Sequence, residues 1–161
     1  MNLEETKNPE LSVVVPAYNE EPNIDELCSR LLTILKNTGR TFEIVIVNDG
    51  SRDESLLKLL EWYHKYPNYF RILDFNSNFG HHNALWAGFE HVRGDIVITM
   101  DADLQNPPEE LPKLLEKIEN ILSEQGHIKI KIYSLEYIIE FQNNVYKIYE
   151  LKYKDTLINL F

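Results

Sequence analysis

The 161 residues, 43% hydrophobic and 26% charged, suit one domain, or one domain with a tail, large enough to bury a core. A formal net charge of −10 argues against a nucleic-acid partner, which needs Lys and Arg to neutralise phosphates; it suits divalent cations, although a solvated acidic surface is the commoner reason for such a charge. The single cysteine, Cys28, rules out an intrachain disulfide framework. Residues 1–10 are polar and lack the apolar centre of a signal peptide, and no run of about 18 apolar residues offers a membrane span, so a cytoplasmic location is expected.

Taken in order, "LSVVV" reads as a short buried strand over 11–15, stopped by Pro16. A helix follows, with Ile24, Leu27, Cys28, Leu31, Leu32 and Leu35 at helical spacing, Asn23 as its expected cap and Gly39 as its stop. On that stripe Cys28 is a buried structural thiol. "FEIVIV" (42–47) is a second buried strand, ending in Asn48-Asp49-Gly50. Ser51 or Asp53 then caps a helix whose apolar stripe is Leu56, Leu57, Leu60 and Tyr63. "FRILD" (70–74) is a third strand. A third helix runs from near Gly80 to before Gly94, and "DIVITM" (95–100) is the fourth strand. Pro107 and Pro108 open a last helix carrying Leu111, Leu114, Leu115 and Ile118. Trp62 and Trp86 are expected in the core.

Strands alternating with helices imply a parallel sheet with helices on its faces. Ligands of such sheets bind beyond the carboxyl ends of the strands. Polar residues gather there: Tyr18, Asn19 and Glu20 after the first strand, Asn48 to Gly50 after the second, Asn76 to Gly80 after the third, Asp101 and Asp103 after the fourth.

The tail has a different character. From Ile121 to Phe161 there is no proline, arginine, alanine or tryptophan, and Ile, Lys, Tyr and Asn supply 21 of the 41 residues. "IKIKIY" and "NVYKIYEL" alternate as half-exposed strands do, and "LEYIIEF" suits strand or helix; no chemistry-bearing motif is visible. The division expected is 1–10 polar segment, 11–120 α/β domain, 121–161 irregular tail.

Asp101 and Asp103, one residue apart at the end of a buried strand, repel each other and lose solvation unless something positive compensates them. Their oxygens suit Mg²⁺ or Mn²⁺, which can hold a diphosphate and neutralise it as it leaves. The plain alternative is a turn or capping pair. Gln105 adds a neutral oxygen ligand or merely covers the loop. Asp49 can accept from a base N–H or ribose hydroxyls, or make an Asx-turn before Gly50. Tyr18 and Glu20 can line the same nucleotide, the aromatic face stacking on a base. Glu21 is better read as an acid favoured at a helix start. "NFGHH" can bring backbone N–H groups or an imidazole to a phosphate. It is not a G-x-G-x-x-G fingerprint, and adjacent His81 and His82 do not share a helix face.

Together "SVVVPAYNEEPNI", "EIVIVNDGSRDES", "NFGHHNALWAGFEHVRGD" and "ITMDADLQNPPEELPKLLEKI" resemble the inverting glycosyltransferases of family 2, most closely the polyprenyl-phosphate branch that includes dolichol-phosphate mannose synthases. The resemblance covers about residues 11–119. It implies a GT-A fold, Rossmann-like, whose donor-binding half is present here. It implies contacts from Pro16, Tyr18, Glu20 and Asp49 to the nucleotide of a UDP- or GDP-sugar, with His81 near the phosphates. Asp101, Asp103 and Gln105 would hold Mg²⁺ or Mn²⁺ on the donor diphosphate, so Asp101 serves both. The implied reaction is a single inverting displacement onto a polyprenyl phosphate at the cytoplasmic face of the membrane, which the longer relatives contact peripherally. No residue is assignable as a catalytic base. After Ile121 the chain departs from the branch, and its A/T-codon-rich composition is what a truncation or shifted reading frame would leave. The rival reading within the family is therefore an inactive nucleotide-sugar-binding remnant. An aspartyl-phosphate phosphatase also ends a strand in D-x-D, but after the first strand and with Thr or Val two residues on, where this chain has Leu104-Gln105.

Overall fold

The computed structural model describes residues 8–125 and the segments 127–132, 135–142, 145–152 and 156–159, with side-chain surroundings described up to residue 118 and at Asn120. The chain divides into a unit ending at Glu110 and a second beginning at Leu111.

The first unit alternates β1 (Leu11–Ala17), α1 (Glu21–Asn37), β2 (Phe42–Asn48), α2 (Ser55–Lys65), β3 (Phe70–Asp74), α3 (His81–His91) and β4 (Ile96–Thr99), then a short 3-10 turn, Pro108–Glu110. Its sheet has the order β3-β2-β1-β4, and every pairing is parallel. The first two crossovers step outward to β3. The third returns past β1, so the strand order reverses between β1 and β4, the place where open α/β sheets bind ligands. All seven residues of β1 and of β2 are buried, as mostly apolar strands covered on both faces should be, with Ser12, Glu43 and Asn48 the polar exceptions. α1 buries the expected stripe, from Ile24 to Leu35.

Four local expectations need correcting. β1 does not stop at Pro16 but continues to Ala17, paired with Asn48. Val14 C=O accepts from Met100 N–H (3.1 Å), and Ala17 C=O from Asp49 N–H (2.8 Å). Alternation then turns Pro16 toward β4, so its missing N–H interrupts only that ladder. The β1–β4 register accordingly ends at Val14–Thr99, and the strands are free to part just where the switch point needs a crevice. Asn23 does not cap α1. The helix starts at Glu21, and Asn23 Nδ2 donates to Glu20 Oε2 (2.7 Å). Neither Ser51 nor Asp53 is the cap residue of α2, which follows Glu54 and buries Ser55 and Leu59, leaving Leu57, Leu60 and Tyr63 exposed. The tryptophans are not core. Trp86 is exposed, and Trp62 lies half-buried, stacked on Tyr66 with its indole N–H donating to Asp25 (2.9 Å).

Cys28 is fully buried, and desolvation, then the nearby Asp25 charge, pushes its thiol up to about 12. The expected result is no reaction with a thiol-reactive dye at pH 8 in the native protein and complete reaction in guanidinium chloride. Fast native labelling would contradict this packing.

The second unit holds α4 (Leu111–Gln125) and an antiparallel meander, β5 (His127–Ile132), β6 (Leu135–Gln142), β7 (Val145–Lys152) and β8 (Thr156–Asn159). The tail is thus not irregular. Period-two alternation such as Ile128-Lys129-Ile130-Lys131 is a strand signal, and "LEYIIEF" takes the strand alternative. Among the described residues no helix is long and apolar enough to cross a membrane.

Candidate functional site

The carboxyl edge of the parallel sheet is built from four loops, three of them tied together by side chains. After β1, Asn19 adopts φ 54°, and its N–H donates to Ser51 Oγ (2.9 Å) while its own Oδ1 accepts from Arg52 N–H (2.8 Å). Glu20 N–H donates to Ser55 Oγ (2.9 Å) and Glu21 N–H to Asp53 Oδ2 (3.2 Å). Burial alone would raise the Asp53 carboxyl; the Ser55 hydroxyl and the Ser55 and Glu21 N–H groups outweigh it and hold it below its usual range. Ser51, Ser55 and Asp53, read in the sequence only as helix-cap material if at all, therefore clip the β1–α1 loop to the β2–α2 loop. Tyr18 stands outside the clip, 40% exposed, with its ring available to a planar ligand.

Asp49 is buried, and it makes no Asx-turn. Its Oδ1 accepts from Phe79 N–H (2.7 Å) and its Oδ2 from Gly80 N–H (3.0 Å), so it fixes the loop that leads into α3. Gly50 beside it has φ +65°, and a Cβ there would sit 2.2 Å from the Ser77 carbonyl carbon. Gly50→Ala combines a left-handed backbone with a collision against main chain. It is expected to cost about 2 kcal/mol or more, read as a lower urea midpoint with an unchanged slope.

His81, the first residue of α3, is set by this loop so that its Nε2 lies 3.7 Å from Asp101 Oδ1, both side chains about a third exposed. The contact joins the start of α3 to the loop after β4. Asp101 and Asp103 flank the buried Ala102. Asp103 Oδ1 accepts from Gln105 N–H (3.0 Å) across a turn in which Leu104 has φ 60°, so the turn reading of Asp103 is realised. Gln105 itself is exposed. Beyond the turn, Arg30 on α1 donates from Nε to Glu109 Oε1 (2.9 Å) and pairs with Glu26 (2.7 Å), anchoring the segment. Pro16 is buried in β1 and shapes the site through the ladder gap.

The donor set suits a hard cation. Among the described residues no three or more His, Cys, Asp or Glu side chains converge on one point. Two adjacent carboxylates would leave most coordination positions of Mg²⁺ or Mn²⁺ to water and phosphate oxygens, the usual way such ions sit on nucleotides.

At the opposite edge lies a cluster that was not read from the sequence. Glu43, 1% exposed, accepts from Ser12 Oγ (2.7 Å), Arg93 N–H (2.6 Å), Arg93 Nε (2.9 Å) and Arg71 (3.3 Å). Burial would raise its carboxyl, but these donors and the Arg93 charge hold it low. A lone acid inside "FEIVIV" was the available signal.

The family model for Glycosyl transferase family 2 matches residues 12–154. The undecaprenyl-phosphate 4-deoxy-4-formamido-L-arabinose transferase of Shewanella sediminis is 46% identical over 120 residues, 74% of this chain and 36% of that one. Its namesake from Klebsiella pneumoniae is 46% identical over 109 residues, 68% and 33% of the two chains. This chain thus spans about a third of the length of these curated relatives. Among solved structures, the mannosyltransferase PcManGT from Pyrobaculum calidifontis in complex with GDP-Man and Mn²⁺ aligns at TM-score 0.58 and 25% identity, over 75% of this chain and 34% of that one. Glucosyl-3-phosphoglycerate synthase from Mycobacterium tuberculosis, with Mn²⁺, UDP and glucosyl-3-phosphoglycerate, aligns at TM-score 0.57 and 26% identity, over 76% and 43%. The parallel sheet shares the GT-A fold of these enzymes, and the chain belongs to glycosyl transferase family 2.

Proposed function

We propose that this chain binds a nucleoside-diphosphate sugar, UDP- or GDP-linked, at the crevice between β1 and β4, as the donor half of an enzyme that transfers the sugar with inversion to a polyprenyl phosphate. The observation that carries the reading is the pairing of His81 with Asp101 at 3.7 Å, beside Asp103 and across the switch point from Tyr18. The undecaprenyl-phosphate transferases similar to it support the acceptor class, and the neighbours solved with GDP-Man, UDP and Mn²⁺ support the donor class and the metal.

In this reading the Tyr18 ring stacks on the base, and Pro16, Glu20 and Asp49 wall the nucleotide. Asp101 and Asp103, with Gln105, hold the divalent cation, which supplies charge neutralisation for the departing diphosphate. His81 and the first turn of α3 face the same phosphates and favour negative charge there. A phosphate oxygen of the acceptor bonds to the anomeric carbon as the bond to the diphosphate breaks, the electron pair leaving with the nucleoside diphosphate. The nucleophile is already anionic, so no protein base is required, in keeping with a site where none is assignable.

A second reading, binding without turnover, concerns these 161 residues taken alone, which span about a third of the length of the curated relatives. In-line positioning of the acceptor can be worth about 7–11 kcal/mol of barrier. The polypeptide of these 161 residues is therefore expected to bind nucleotide sugar with Mn²⁺ while transferring radiolabelled sugar to polyprenyl phosphate orders of magnitude more slowly than a full-length relative. Equal rates would reject the remnant reading, and absence of nucleotide binding would reject both.

A further inference from the structure

β3 is an edge strand. Ile44 N–H donates to Tyr69 C=O (2.7 Å) and Phe75 N–H to Asn48 C=O (2.9 Å), so the odd-numbered residues of β3 face β2. Ile72 therefore directs its N–H and C=O away from the sheet, and among the described residues neither has a backbone partner. Beside this edge lies the apolar flank of α2, with Leu57 56%, Leu60 37% and Tyr63 40% exposed. That flank is turned away from α1, because Lys58 (3.0 Å) and Trp62 (2.9 Å) on the other side of α2 both engage Asp25. The ends of α2 carry opposite charges: Asp53 and Glu54 at its start, His64 and Lys65 in its last turn.

An unpaired strand edge, an apolar helix flank and a head-to-tail charge pattern make this surface complementary to itself. We infer that a second copy of this chain docks here about a two-fold axis. β3 pairs antiparallel with its counterpart through Ile72, joining two four-stranded sheets into one of eight. The same axis lays the two α2 helices antiparallel. Leu60 then meets Leu60, Leu57 meets Tyr63, and Glu54 of each copy meets Lys65 of the other. The axis sits on the β3 side of the sheet, so the crevice between β1 and β4 stays open in the dimer, and the inference does not depend on the donor reading.

The test is sedimentation equilibrium of the whole chain across a concentration series. A reversible dimer is expected, with a dissociation constant on the order of micromolar for so small a patch. Leu60→Lys, which sets two cations against each other at the axis, is expected to raise that constant at least about tenfold while leaving far-ultraviolet circular dichroism unchanged. Glu54→Lys and Lys65→Glu should each weaken the dimer, and the double reversal should restore it, an outcome no folding defect mimics. A monomer at all concentrations, a dimer indifferent to Leu60→Lys, or a double reversal no better than the singles would each overturn the inference.

Discussion

Asp101→Asn combined with Asp103→Asn is expected to abolish Mn²⁺-dependent binding of UDP and GDP while leaving the fold intact. In the proposed donor site each carboxylate would supply a charged ligand, and losing a charge-assisted contact costs about 1.5–3 kcal/mol. Two together exceed ~3 kcal/mol, a fall of more than a hundredfold in affinity. Stability should not suffer, because the double change removes a repelling pair just after β4 and keeps the amide oxygen at position 103 that can accept from Gln105 N–H. Calorimetric titration with each nucleotide, with and without Mn²⁺, reads the first effect, and a thermal melt the second. Unchanged affinity in the double variant would remove the metal role from both aspartates.

Glu43→Ala is expected to have the largest effect on stability of any single change at the far edge of the sheet. It strips the acceptor from Ser12, Arg93 and Arg71 together. Breaking a buried charge network costs about 3–5 kcal/mol, and the lower end applies because Arg93 is half exposed. Tm should drop by on the order of 10 °C. The same carboxylate makes stability depend on acid. Its folded pKa lies below the ordinary value of 4.5, so its contribution is present above that value and is lost as pH falls through the folded one. Glu43→Ala should therefore flatten the acid limb of the stability profile. A melt that loses no more stability below pH 4 in wild type than in the variant would show that this network is electrostatically inert.

The sheet was legible because β1 and β2 are mostly apolar runs, broken only by Ser12, Glu43 and Asn48, and β3 starts and ends where expected. The position of most candidate site residues was legible because each follows a strand, and local order alone assigns them to one edge. The clips were not. Asn19 to Ser51, Glu20 to Ser55 and Asp49 to Phe79 each span about thirty residues. Such pairings depend on strand order, which periodicity does not encode. α2 was misread for a related reason. Its apolar positions favour Leu56, Leu57, Leu60 and Tyr63, but the helix turns to bury Ser55, whose hydroxyl accepts from Glu20 N–H, and to bring Trp62 and Lys58 to Asp25. Polar partners across elements overruled the hydrophobic stripe. In the tail, composition pointed to a truncation or shifted reading frame, while the alternation of Ile and Lys within it pointed to strands, and strands are what β5 shows.

The Asp49 carboxylate has a bearing on how fast and how cheaply a ligand is captured. It spans the gap between the loop after β2 and the loop before α3, with one oxygen on each of two successive amides. A loop left free would lose roughly 1–2 kcal/mol of backbone entropy per residue on being ordered by a ligand. Here that ordering has already happened during folding, and the loop after β2 and the start of α3 are held as one body. Association should then proceed without a slow rearrangement, its rate rising in proportion to nucleotide concentration, and single-exponential stopped-flow traces without saturation are the kinetic signature of such a preformed pocket.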